Sequence, residues 1–86
     1  MQNAAFYKLL KDVAARHNVS EESITASRRG TPKVCEARNE LIVRTRHELR
    51  ELTLDDIGTL MGGRDLTTIA TAYRNHVQKY YPAAKA

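Results

Sequence analysis

The chain has 86 residues, 42% of them hydrophobic, with four Gly, two Pro and a formal net charge of +4. That length holds one domain with one economical core, and the composition excludes disordered, collagenous and low-complexity chains. The longest apolar run, Ala4-Ala5-Phe6-Tyr7, is far short of a membrane span or the apolar part of a secretory signal, and the lone Cys35 excludes an intramolecular disulfide, so a cytoplasmic protein held by packing alone is expected.

Phe6, Leu9, Leu10, Val13 and Ala14 recur at i, i+3, i+4, i+7 and i+8, which predicts an amphipathic helix over residues 4–16. In Val19-Ser20-Glu21-Glu22-Ser23-Ile24, Ser20 is placed to cap a short second helix while Val19 and Ile24 close a hydrophobic staple. Thr31-Pro32 reads as the start of a third helix, a capping hydroxyl followed by a proline whose missing N–H costs nothing in the first turn. An extended basic loop running to about Cys35 fits the same residues. Ala37, Leu41, Thr45 and Leu49 then step by four along one face to about Arg50, with the other faces charged. Leu52-Thr53-Leu54-Asp55-Asp56-Ile57 repeats the capping grammar: Thr53 as cap, Leu52 and Ile57 as staple, two carboxylates where the helix dipole favours them. Gly62-Gly63 supplies the positive-φ position that ends this short fourth helix. Asp65 caps a fifth helix running to about Tyr80 and stopped by Pro82. No stretch alternates with period two for long enough to be a strand. The expected fold is all-α: five helices in one domain over residues 1–81, a helix-turn-helix at about 54–80, and a flexible tail at 82–86.

The charge is not spread evenly. Residues 28–50 carry seven basic side chains against three acidic, whereas residues 1–27 carry three of each and residues 51–86 four of each. Arg28, Arg29, Lys33, Arg38, Arg44, Arg46 and Arg50 thus concentrate a positive field suited to a polyanion. On a 100° wheel the fifth helix shows Ile69, Ala72, Tyr73, His76 and Tyr80 on one stripe and Thr67, Thr71, Arg74 and Gln78 on the opposite one. The second stripe has no carboxylate. It offers hydroxyls, an amide and a guanidinium, the groups that read base edges and grip phosphate.

The stretch Gly58-Thr-Leu-Met-Gly-Gly-Arg-Asp-Leu-Thr-Thr68 resembles the signature of the C-terminal DNA-binding domain of the bacterial replication initiator DnaA, in which Gly-Gly-Arg-Asp-His-Thr-Thr opens the recognition helix. The resemblance extends through Leu54, Ile57-Gly58, the Ala37-Arg38 pair and the Arg28-Arg29 loop, and covers roughly residues 9–79. It implies a Trp-repressor-like helix-turn-helix that binds double-stranded DNA at initiator-type boxes and regulates replication or transcription, in a phage, prophage or other accessory context; because the family's nucleotide-binding portion is missing, no nucleotide is expected. By the same resemblance the fifth helix enters the major groove and Arg38 the adjacent minor groove. Asp65, Leu66, Thr67, Thr68 and Thr71 are then the base-facing residues, and Arg28, Arg29, Lys33, Arg64, Arg74 and Gln78 the phosphate contacts. The chemistry suits these roles: a carboxylate accepts from cytosine N4, a threonine methyl packs on a thymine methyl, and arginine is drawn into a narrow A·T-rich minor groove. Three departures bear on it. Leu66 stands where the family has histidine, which exchanges a donor for an apolar group and changes the expected preference. Asp55 stands where the family has proline, adding negative charge near the phosphate path, and the Arg50-to-Thr53 connection is one residue longer. The family's nucleotide-binding portion has no counterpart here, and the Met1 start favours a free-standing reader.

Other chemistries fit poorly. Gly58 to Asp65 misses the phosphate-loop pattern, which needs lysine, a hydroxyl and a preceding strand. His17, His47 and His76 are about thirty residues apart and Cys35 has no partner cysteine, so no metal or other cofactor is expected. His76 is expected as a hydrogen-bonded, half-buried core histidine. Tyr73, Tyr80 and Tyr81 are expected to pack at the core and its edge rather than to stack on bases. No serine or cysteine sits in a nucleophile motif, so no enzymatic activity is expected. The alternative reading is a small adaptor that keeps the initiator fold but binds a protein, with Leu66 and Asp55 marking a lost DNA surface.

Overall fold

A computed structural model describes residues 3–26 and 28–83. Among these residues there are five helices and no strand: α1 (Ala4–His17), α2 (Glu21–Thr25), α3 (Pro32–Glu48), α4 (Leu54–Leu60) and α5 (Leu66–Tyr80). None is long and apolar enough to cross a membrane. Of the tail expected at 82–86, Pro82 and Ala83 form a turn and residues 84–86 lie outside the described residues, as do Met1 and Gln2.

The caps read from the sequence set the helix starts. The Oγ of Ser20 accepts from the Ser23 N–H at 3.1 Å, and the Oγ1 of Thr31 accepts from the Val34 N–H at 3.2 Å. The second bond places the start of α3 at Pro32 and excludes the extended loop to Cys35. Thr53 and Asp56 close a reciprocal capping box, each side chain bonding the other's backbone N–H at 3.0–3.1 Å. Asp65 occupies the N-cap position of α5 with extended backbone, but its carboxylate makes no capping hydrogen bond, a correction to its expected role.

Helix α3 packs against all four others. Its buried surface therefore runs well beyond the Ala37–Leu41–Thr45 stripe to include Val34, Arg38, Glu40, Ile42 and Val43. The expectation of charged outer faces is corrected accordingly: a helix enclosed on several sides has little surface left for water. Phe6, Leu10, Val13, Ile24, Leu41, Ile57, Met61 and Ile69 join in one apolar cluster. Its transfer from water is the main favourable term in so small a domain.

One buried carboxylate is set into α3. Glu40 is 1% exposed, and its oxygens meet Arg16, the Nε2 of His17 at 2.6 Å and the Nη1 of Arg44 at 3.4 Å. Arg44 extends the network to Asp12 at 3.0 Å and Glu48 at 2.9 Å. Partial burial works against the Arg44 charge, but the hydrogen bonds that Arg44 donates to Glu48 and Asp12 outweigh it and raise its pKa. The hydrogen bond from Arg44 holds the Glu48 carboxyl below its ordinary range.

Candidate nucleic-acid interface

The turn between α4 and α5 is shaped by two close backbone approaches. The Arg64 N–H donates to the Gly58 carbonyl at 2.8 Å, and a Cβ built on Gly58 would lie 2.3 Å from the Arg64 carbonyl oxygen. Gly62, at φ +86°, brings its backbone so near the end of α2 that a Cβ there would lie 2.2 Å from the Thr25 carbonyl oxygen. The turn therefore rests on the end of α2, and the basic segment that follows α2 is brought beside it. Arg64 closes this junction by donating to the carbonyls of Met61 and Arg28, the latter at 3.3 Å. A groove of about 310 Å³ runs along the junction, walled by Arg29, Arg64, Asn39, Thr68 and Ala72 with Arg38 at its base. Among the described residues no carboxylate lines it.

Helix α5 divides as its periodicity predicts. Ile69 is fully buried, Ala72, Tyr73, His76 and Tyr80 are half-buried, and Thr67, Thr71, Arg74 and Gln78 are exposed. Val77, outside the predicted apolar stripe, is fully buried as well. Asp65, Leu66 and Thr68 are also exposed, Leu66 to 48%, so its side chain points into water and not inward. With no side-chain bond from Asp65, the first-turn N–H groups of α5 keep their donors and the positive end of the helix dipole directed outward. Arg28, Arg29 and Lys33 are exposed, and Arg64 is half-buried.

Arg38 is placed differently from its expected position at a minor groove. It is 6% exposed and donates from Nε to the Ile24 carbonyl at 2.8 Å, from Nη1 to Arg29 at 2.7 Å, and from Nη2 to Ser23 at 2.8 Å and Arg28 at 3.3 Å. At 6% exposure, and with four of its N–H groups committed to backbone carbonyls, the guanidinium does not project from the surface as a groove-inserting arginine must, and the expectation is corrected. Helical phase carried the signal: with α3 starting at Pro32, Arg38 follows Ala37 and precedes Leu41 by three, on the inner side. Burial, and then repulsion from the nearby Arg64 guanidinium, lower the Arg38 pKa, while burial alone lowers that of Arg64. No ion pair to either arginine is present among the described residues.

The tyrosines do not face the groove. Tyr73 Oη lies 2.9 Å from His47 Nε2, the His47 ring stacks on Tyr81 at 4.0 Å, and Tyr81 Oη donates to Glu48 at 3.1 Å. This set pins the end of α5 to the end of α3. His76 is half-buried, as expected, on a cavity of about 480 Å³ that Tyr80 and Cys35 also line. Its expected hydrogen bond is absent among the described residues. No group of His, Cys, Asp or Glu among them could hold a metal ion. No protein-family model matches the chain, and no curated protein or solved structure matches it either.

Proposed function

We propose that this chain binds double-stranded DNA sequence-specifically through α4 and α5, by equilibrium binding without turnover. The observation that carries the reading is a juxtaposition: the exposed face of α5, free of carboxylates after the exposed Asp65 at its N-cap, lies beside Arg64 and the exposed Arg28 and Arg29. Thr67 and Thr71 supply methyls and hydroxyls for base edges, and exposed Leu66 supplies an apolar surface for thymine methyls. Arg28, Arg29, Lys33 and Arg64 from the neighbouring segments, and Arg74 and Gln78 further along the same face of α5, serve as phosphate contacts, which add affinity without sequence information. The resemblance to the initiator's reader domain supports initiator-type boxes as targets, and a regulatory role in replication or transcription near the nucleoid.

Titration of duplex DNA at several salt concentrations tests this. Binding is expected to weaken steeply with salt, because neutralised phosphates release counterions. Arg28→Ala is expected to weaken all sequences alike and to reduce the logarithmic salt slope by about 0.9. Thr67→Ala is expected to cost about 1–2 kcal/mol of discrimination between duplexes recovered from a random pool and scrambled controls. If both substitutions leave duplex binding unchanged, the face is misassigned; binding to a protein partner with no salt-dependent duplex binding marks the adaptor reading instead.

A further inference from the structure

The buried arginine has a role that its distance from solvent suggests. Four carbonyls converge on the Arg38 guanidinium: Ser23 and Ile24 from α2, and Arg28 and Arg29 from the segment that follows it. The first two belong to the last turn of a helix, where carbonyls have no intrahelical partner. One rigid planar fork thus caps α2 and fastens the basic segment to it. Two further donors reinforce the fastening, Cys35 Sγ to the Arg29 carbonyl at 3.3 Å and Arg64 to the Arg28 carbonyl. With those carbonyls drawn inward, the Arg28 and Arg29 side chains are left on the outside, and both are exposed.

Resting on the DNA-binding reading, we infer that Arg38 is a positioning residue that sets Arg28 and Arg29 in their phosphate-gripping arrangement before DNA arrives. A segment without this anchor keeps its charges but must be ordered on binding. Fixing even one or two residues is enough to weaken association about tenfold. Lysine does not replace the fork, because its ammonium is a compact point charge without the planar donor geometry.

The test uses the full chain, a random-sequence duplex, and Arg38→Met and Arg38→Lys. Arg38→Met is expected to bind the duplex about tenfold more weakly with an unchanged salt slope, since every exposed cation remains. Backbone order parameters of Arg28 to Thr31 should fall from about 0.85 to below about 0.6. Adding Arg28→Ala should cost less in this background than in the parent chain, because the two changes remove the same prepared contact. If circular dichroism shows Arg38→Met to be unfolded, Arg38→Lys carries the test, with a several-fold loss and the same fall in order. A disordered segment with unchanged affinity overturns the inference. So does weaker binding with an ordered segment and a shallower salt slope, which would make Arg38 a direct DNA contact. A parent chain that binds no duplex overturns the DNA-binding reading itself, and the parent titration alone reports it.

Discussion

Glu40→Ala is expected to lower stability by about 3 kcal/mol, near the lower end of the cost of removing one partner from a buried ionic cluster. The carboxylate is 1% exposed and sits among Arg16, His17 and Arg44. Without it, His17 and Arg44 lose their common acceptor in a site that admits little water. The Arg16 side chain is 55% exposed and recovers hydration, which keeps the loss from the upper end of the range. Urea unfolding at neutral pH should show a lower midpoint with an unchanged slope. Glu48→Ala is the control: its carboxylate accepts from the same Arg44 and from Tyr81 Oη at the exposed rim, where the ion pair and the hydrogen bond each contribute about 1 kcal/mol or less. Equal losses from the two substitutions would show that the burial of Glu40 carries no energetic weight.

Gly62→Ala should be as damaging, for a steric reason. At φ +86° an alanine pays a conformational penalty of about 1–2 kcal/mol. Its methyl would also lie 2.2 Å from the Thr25 carbonyl oxygen, a backbone atom that cannot rotate away. Together these should exceed about 3 kcal/mol, a fall in melting temperature of more than about 12 °C for a domain of this size. Gly63→Ala isolates the first effect, because Gly63 has φ +78° and nothing within 4 Å of the added carbon. It should cost only the conformational penalty. If Gly62→Ala is no worse than Gly63→Ala, the turn does not rest on α2. The contact matters beyond stability, since it is what brings the basic segment against the start of α5.

The two substitutions probe the same organisation from opposite ends. Glu40 ties α1 to α3 on one side of the molecule, and Gly62 seats the α4–α5 turn on α2 on the other. Between them α3 is held from several directions, and Arg38 can be buried as a cation because carbonyls, not carboxylates, surround it. Carbonyl oxygens satisfy the donors without cancelling the charge. The groove above Arg38 therefore stays positive, which is the property that a polyanion surface requires.

Five helices were legible in the chain because they are determined locally. The sequence leaves the start of α3 open between a helix from Pro32 and an extended loop to Cys35, which the Thr31 cap decides, and the Asp65 cap expected for α5 does not form. Ser20, Thr31 and Thr53 act on N–H groups three residues ahead, the apolar rhythm of α1 and α5 is a property of one helix, and Gly62 and Gly63 take positive φ within a single turn. The exposed stripe of α5 was legible for the same reason. What only the tertiary structure decided were the destinations of charged side chains on α3, because these depend on how many neighbours enclose a helix and on which atoms those neighbours present. The resemblance makes Arg38 a groove-facing cation, yet it lies inside, since the last carbonyls of α2, which have no partner within that helix, accept from its guanidinium. Glu40 gave no sign of burial, because its cationic partners Arg16 and His17 lie more than twenty residues away in sequence. The meeting of the Arg28 segment with the α4–α5 turn was likewise invisible, for it rests on Gly62 touching Thr25, a contact between distant backbones that no local pattern encodes.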